Sequence, residues 1–168
     1  SYGFNDVNDP FRRRIREAVG HRFLDVSRWS DDAIAASITN QNIDIAVELK
    51  GYTQNSRPFL LHKKPAPIQI NYLGFPGSMG QSYIDYFIAD KYTVTPNNRP
   101  QFSESIVKLP IFYQPPDANR NVSSGGSRKS NDLPEQGVIL GAFSSIYKLT
   151  PELFHFWLEL LENYSDTY

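Results

Sequence analysis

The sequence contains no cysteine, which excludes disulfides, thiol chemistry and cysteine-ligated zinc. Histidine is scarce. His21, His62 and His155 stand far apart, in no metal-ligand spacing and no catalytic cluster, so no metal is expected. Neither sign of charge dominates: 17 Lys and Arg face 18 Asp and Glu, a net charge of -1. That removes the global electrostatic case for nucleic acid or an anionic membrane as partner. No apolar run approaches the roughly 18 residues that span a bilayer. No secretory signal opens the chain, and a cytoplasmic protein is expected. Internal repeats are absent. So are the nucleotide fingerprints: Gly74, Gly77 and Gly80 are spaced i, i+3, i+6, not as a dinucleotide loop, and no Gly-Lys-Ser/Thr follows.

What is there is ordinary in bulk, with 40% hydrophobic and 21% charged residues among 168. A chain of this length can bury about two-thirds of its unfolded surface. Aromatic residues reach 14%, from 11 Phe, 10 Tyr and 2 Trp, and serve packed cores and stacking surfaces alike.

Asp9-Pro10 predicts a helix start, with Asp as cap and Pro at the first helical position. Phe11, Ile15, Ala18 and Val19 share one face, and Gly20 ends the segment. Arg12, Arg13, Arg14 and Arg16 cover the other face, as an anion patch or a solvated surface. Residues 23–26 read as a short strand. Ser30 predicts a second cap, with Asp31 and Asp32 near the positive end of the dipole and the helix running to about residue 40. Strands are predicted at 43–49, 68–73, 84–89 and 106–109, and residues 56–62 look helical. Helix-like segments between several strands favour an α/β domain with a largely parallel sheet. Asp44, Glu48, Gln69 and Asn71 interrupt two of these strands, which places them near a sheet edge or points them into a cleft. Asp85 and Asp90 flank a strand and are expected to end it and meet local partners rather than form an acid pair.

Residues 114–137 are rich in Pro, Gly, Ser and Asn without periodicity and read as a linker between a lobe at 1–113 and a second at 138–168. The second lobe offers one strand, 138–143, and one helix started by Thr150-Pro151-Glu152 with Leu153, Phe154, Trp157, Leu158 and Leu161 as its apolar stripe. One strand and one helix cannot enclose a core, and the chain opens on Ser1 without Met, so a fragment is expected. Asn121-Val122-Ser123 and Asn163-Tyr164-Ser165 match the glycan acceptor pattern, which matters only in a secretory compartment.

In an open parallel sheet the carboxyl ends of the strands share one edge, where ligands bind. Three loops end at such positions: 50–57, 74–80 and 144–148. The first two are expected to be neighbours, with the third facing them from the other lobe. The glycines at 74–80 let a ligand approach the backbone, or simply make a turn. Tyr52 and Arg57 suit substrate stacking or binding; the alternative is a tyrosine packed on the sheet and an arginine with a carboxylate partner. Lys148, just ahead of a helix cap, can donate to a phosphate or stand as a solvated lysine.

The blocks Asp44-Ile45-Ala46-Val47-Glu48-Leu49-Lys50-Gly51-Tyr52-Thr53, Pro65-Ala66-Pro67-Ile68-Gln69-Ile70-Asn71-Tyr72-Leu73-Gly74-Phe75-Pro76-Gly77-Ser78-Met79-Gly80 and Ile84-Asp85-Tyr86-Phe87-Ile88-Ala89-Asp90 resemble the catalytic region of the protein O-GlcNAc transferase family, above all its SPINDLY-like bacterial members. Phe102-Ser103-Glu104, Leu109-Pro110 and Phe143-Ser144-Ser145-Ile146-Tyr147-Lys148-Leu149-Thr150-Pro151 follow in the same order. The resemblance implies a Rossmann-like, largely parallel sheet belonging to a GT-B glycosyltransferase: most of the N-terminal lobe and the start of the nucleotide-binding lobe. It implies transfer of N-acetylglucosamine from the nucleotide sugar UDP-GlcNAc to Ser or Thr hydroxyls of an acceptor protein, with inversion, without a metal and without a further cofactor. Tyr52, Leu73, Gly74 and Pro76 match positions lining the sugar and acceptor cleft, and Lys148 matches the lysine that neutralises the departing diphosphate. Two residues depart from the pattern: Ser145 stands where many relatives carry Gln, and Gln54 replaces a basic residue of animal members. The isolated chain is expected to be inactive and to rely on the rest of a glycosyltransferase chain or another subunit. A non-catalytic binding module and a GDP-fucose-using relative are the alternatives.

Overall fold

Two helices form where local chemistry starts them. In the computed structural model, which describes residues 9–120 and 122–168, the Asp9 side chain accepts the Phe11 amide at 3.0 Å and helix α1 spans Pro10–Val19. The Ser30 hydroxyl accepts the Ala33 amide at 3.2 Å and opens α2, Asp31–Asn40. Each cap satisfies a backbone donor that the first helical turn leaves unpaired. Helix α1 buries none of its residues, whereas α2 buries Ile34 and Ala35.

Four strands follow: β1 (Ile45–Glu48), β2 (Ile68–Asn71), β3 (Tyr86–Ala89) and β4 (Ser105–Lys108). They form one sheet in the order β1-β2-β3-β4, and every neighbouring pair is parallel. The largely parallel α/β architecture expected from the sequence is therefore the one found. The connections differ from expectation, because no α-helix lies between these strands. The segment read as helical at 56–62 is a 3₁₀ turn, Pro58–Lys63, closed by Lys64 in the left-handed region with φ 50°. The β3–β4 connection holds only a 3₁₀ turn, Arg99–Gln101. Pro76, Gly74, Gly77 and Gly80, then Pro96 and Pro100, supply too little helix propensity for these crossovers to coil.

Register places Glu48, Asn71 and Phe87 on one face. Phe87, Ala89, Val94 and Phe102 make one core cluster there, with the Phe87 and Phe102 rings stacked at 5.2 Å. A second cluster joins Val26, Ile34, Leu60, Leu61, Met79, Tyr83 and Ile84. The opposite face of the sheet carries Ile45, Val47, Ile68, Tyr86 and Val107, all exposed. The four polar interruptions divide accordingly. Asp44 directly precedes the edge strand and Glu48 ends it, while Gln69 and Asn71 lie fully buried in the middle of the sheet.

Two expected strands did not form. Residues 23–26 are irregular, with the Asp25 carboxylate turned back to the Ser27 amide and to Arg12. A strand requires a partner ladder, and no neighbouring backbone offers one here. At 138–143 only Val138 pairs, as an isolated parallel bridge to Thr167.

The chain divides into two units, at Ser1–Pro116 and Asp117–Tyr168. The second holds α3, Pro151–Asn163, capped by the Thr150 hydroxyl on the Leu153 amide. The glycan acceptor pattern at Asn121 lies outside the described residues; Asn163 ends α3 and donates to the Glu159 carbonyl. Among the described residues no helix is long and apolar enough to cross a membrane, and no group of His, Asp or Glu is arranged to hold a metal.

Asp85 and Asp90 do meet local partners. Burial alone would raise the Asp85 pKa, but the Lys64 ammonium at 2.6 Å and the Gln69 amide outweigh it and lower it. Asp90 accepts the Thr93, Tyr113 and Tyr92 amides, and these bonds, that from Thr93 foremost, hold its pKa at about 2. It thereby ties the loops after β3 and β4 together.

Two outcomes are expected. Phe87→Ala removes a ring with 0% exposure and should lower unfolding free energy by about 3–5 kcal/mol in urea titration. The Asp90 contribution is complete above its ordinary pKa of 3.8. It is lost as pH falls toward about 2, because the native state then takes up its proton later than the unfolded chain. The urea midpoint should therefore decline across that window, and Asp90→Asn should make the decline shallower.

Candidate functional site

The carboxyl ends of β1 and β2 lie side by side because the two strands are parallel neighbours. Their pairing continues past the strands. The Tyr72 amide donates to the Glu48 carbonyl at 2.9 Å and the Gly74 amide to the Leu49 carbonyl at 3.1 Å. The Glu48 carboxylate folds back on the amides of Lys50 and Gly51, at 2.8 and 3.1 Å, and starts the turn that leads to Tyr52.

The two loops interlock. The Tyr52 hydroxyl donates to the Met79 carbonyl at 2.7 Å and accepts from the Gln81 side-chain amide at 2.9 Å. Its ring meets Phe75 edge-on at 6.0 Å. Gly74 is obligatory for this approach. A Cβ there would lie 2.6 Å from the Leu49 carbonyl oxygen and 2.7 Å from the Lys50 Cα, inside any permitted contact with fixed backbone. Gly51 sits at φ +55°, and a Cβ on it would stand 2.9 Å from the Phe75 Cβ. Leu73 takes a left-handed conformation at φ 67°, unusual for a leucine. It is partly buried, while Pro76 is exposed.

The interior supports this corner with polar side chains. The Asn71 amide donates to the Gly77 carbonyl at 3.2 Å, and its buried Oδ1 has no hydrogen-bond partner among the described residues. Gln69 donates to the Leu61 and Tyr83 carbonyls. Burial, then the neighbouring Tyr52, pushes the Tyr83 phenol up. Glu104 accepts the Met79 amide and the Ser78 hydroxyl, each at 2.7 Å.

Of the residues singled out in the sequence, Tyr52, Leu73, Gly74 and Pro76 thus fall on two contiguous loops. Arg57 does not turn to them: it pairs with Asp31 and donates to the Trp29 carbonyl at 2.8 Å. This is the carboxylate-partner alternative. Ser145 and Lys148 belong to the second unit, where a 3₁₀ turn, Ile146–Lys148, precedes α3 and leaves Lys148 exposed. Sequence reasoning assigned no role to Gln81, Phe75 or Glu104. Only Asn71 and Gln69 carried a signal, as polar breaks in an otherwise apolar strand. A groove of about 630 Å³ lies among α1, α2 and β1; Phe11, Ile34, Val47 and Leu61 line it and it reaches the end of β1 at Glu48, Leu49 and Lys50, while Tyr52 and Gly74 are not in its lining.

If the loop junction is as tight as these distances indicate, Gly74→Ala must push the backbones of 49–50 and 73–75 apart. A loss of about 1–3 kcal/mol is expected, the scale of overpacking. Amide exchange should show the opening at Gly74 and Gly51 before β3 and β4.

Comparison with known proteins places this arrangement. Residues 2–120 match the profile of glycosyl transferase family 41. An Arabidopsis thaliana protein described as "probable UDP-N-acetylglucosamine–peptide N-acetylglucosaminyltransferase SEC" is 38% identical over 161 residues, 92% of this chain and 16% of that protein. A Petunia hybrida protein given the same description under the name SPINDLY is 28% identical over 159 residues, 91% of this chain and 16% of its own length. This chain therefore spans about 16% of the length of these curated relatives. Among solved structures, a mutant of the O-GlcNAc transferase of Thermobaculum terrenum matches with a TM-score of 0.76 and 24% identity, over 95% of this chain and 29% of that one. That likeness concerns the fold, the parallel Rossmann-like sheet that the sequence resemblance implied. With the family profile covering most of its length, the chain belongs to glycosyl transferase family 41.

Proposed function

We propose that this chain carries part of the active site of a GT-B enzyme that moves N-acetylglucosamine from UDP-GlcNAc to Ser or Thr hydroxyls of a protein, with inversion and without a metal. The observation that carries the reading is the interlocked pair of loops at the carboxyl edge of β1 and β2, where Tyr52 is seated on Met79 by a 2.7 Å hydrogen bond. Tyr52, Leu73, Gly74 and Pro76 would line the sugar and the acceptor. In the displacement, the acceptor hydroxyl oxygen bonds to the anomeric carbon as the bond from that carbon to UDP breaks on the opposite face, and the hydroxyl proton passes to solvent water. Charge then develops on the diphosphate. Lys148 of the second unit supplies the compensating cation, aided by the capped start of α3 nearby in the sequence. Ser145 belongs with the nucleotide contacts, and Arg57 orients the loop 50–57 through its bond to Asp31 rather than touching sugar.

The second unit also accounts for a partner. Phe154, Leu158 and Leu161 on α3, together with Phe143 and Ile146, are exposed. An apolar surface of that kind suits docking onto the rest of a glycosyltransferase chain or another subunit. In this reading the isolated chain binds but does not turn over.

Ligand-observed NMR of this chain with N-acetylglucosamine, UDP and GDP tests the reading. Saturation transfer to the sugar and to UDP at millimolar concentration, weakened by Tyr52→Ala, is the expected result. Silence from both ligands would remove the site, and preference for GDP would move the donor to a guanosine sugar. In a protein extended to the length of the relatives, Lys148→Ala should raise the barrier of transfer by about 2–4 kcal/mol, the scale for one electrostatic donor lost. Initial rates at saturating UDP-GlcNAc measure it.

A further inference from the structure

Glu104 is a carboxylate with 2% exposure, and among the described residues no Lys, Arg or His forms an ion pair with it. A buried charge without a counter-ion is costly unless hydrogen bonds satisfy it. Its two shortest bonds go to one feature, the turn at 78–80. Oε1 accepts the Met79 amide at 2.7 Å, and Oε2 accepts the Ser78 hydroxyl at 2.7 Å and the Ser103 hydroxyl at 3.3 Å. Having donated its proton to Glu104, the Ser78 oxygen is left to accept, and it accepts the Gly80 amide at 3.0 Å. That amide belongs to the peptide joining Met79 and Gly80. A trans peptide is planar, and its N–H and C=O point in opposite directions. Holding the Gly80 N–H on Ser78 therefore aims the Met79 carbonyl away from Ser78. The Tyr52 hydroxyl lies on that carbonyl at 2.7 Å.

We propose that Glu104 is a positioning residue that sets the orientation of Tyr52 through Ser78 and the 79–80 peptide. The proposal deepens the functional reading above, since it rests on that reading for the sugar-facing role of Tyr52. Polarity is consistent along the whole path. Ser78 donates to the carboxylate, Gly80 donates to Ser78, Tyr52 donates to Met79, and the Gln81 amide donates to Tyr52 at 2.9 Å. The arrangement matters because Tyr52 is 42% exposed, with an edge contact from its ring to Phe75. The Met79 side chain, buried in the core, fixes where the turn lies. Glu104 and Ser78 fix which way its carbonyl faces.

The test uses the intact chain and the variants Ser78→Ala, Glu104→Ala, Glu104→Gln and the Ser78→Ala/Glu104→Ala pair. Amide exchange of Gly80 should rise by about tenfold in either alanine variant, the scale of one lost hydrogen bond. The Tyr52 ring resonances should shift in both. The pair should do no more than the larger single change, because the two residues act in series. Glu104→Gln keeps an acceptor for Met79 but turns an NH2 donor toward Ser78, so it should leave the turn folded while Gly80 exchange and the Tyr52 shifts fall between wild type and Glu104→Ala. Ser78→Ala keeps the test decisive should Glu104→Ala fail to fold. Unmoved Tyr52 resonances, additive effects in the pair, or equal acceleration at the amides of β2 and β3 would each overturn the proposal, the last by showing that Glu104 holds the fold as a whole. Saturation transfer to N-acetylglucosamine on the same samples separates the two readings. Relay effects without sugar contact in the wild-type chain would uphold the relay and overturn the sugar site alone.

Discussion

Parallel pairing of β1 with β2, carried past the strand ends to Leu49 and Gly74, is the constraint on which the rest depends. An antiparallel pair would send the two following loops to opposite ends of the sheet. Parallel pairing sends both to one edge, and the bonds from Tyr72 to Glu48 and from Gly74 to Leu49 hold them in contact as they leave it. Gly74 makes the approach sterically possible, and the Tyr52–Met79 bond locks it. Each feature of the candidate site follows from that shared departure.

The buried face of the sheet mixes polar with apolar side chains, Gln69 and Asn71 beside Phe87 and Ala89, and the crossovers supply a physical reason for the polar ones. A helical crossover satisfies its own backbone. These crossovers are turns and short 3₁₀ segments, and they bring carbonyls and amides that belong to no helical ladder against the sheet. Gln69 serves the carbonyls of Leu61 and Tyr83, Asn71 that of Gly77, and Glu104 the amide of Met79. These hydrogen bonds offset part of the cost of burial, since Gln69 Oε1 and Asn71 Oδ1 have no hydrogen-bond partner among the described residues. They also specify: a leucine at 69 or 71 would fill the same space but leave the turns above it without a fixed orientation. Polar residues in the interior are thus the means by which irregular loops become a defined surface.

Family membership and geometry meet in the first unit. The profile of glycosyl transferase family 41 covers residues 2–120, and the four residues there that resemblance assigned to the cleft come together on two loops. Lys148 and Ser145 stand in the second unit, and their part in the chemistry is the proposal made above. Arg57 pairs with Asp31 and donates to the Trp29 carbonyl, and its orienting of the loop is likewise part of the proposal made above.

What the sequence alone determined was local or periodic. Asp9-Pro10, Ser30-Asp31-Asp32 and Thr150-Pro151 located three helix starts, because a cap is satisfied within three residues of itself. β-Branched runs located four strands, and their succession implied parallel order and a common edge for the loops. Tertiary structure decided whatever needed a distant partner. Residues 23–26 and 138–143 have strand-like composition but lack a ladder to join, so one is irregular and the other a single bridge. Glu104 has no mark in the sequence that sets it apart from a surface glutamate, since Ser78 and Met79 lie 26 and 25 positions away. Only folding brings a carboxylate and a turn so far apart in the chain into contact, and burial then makes each hydrogen bond between them count.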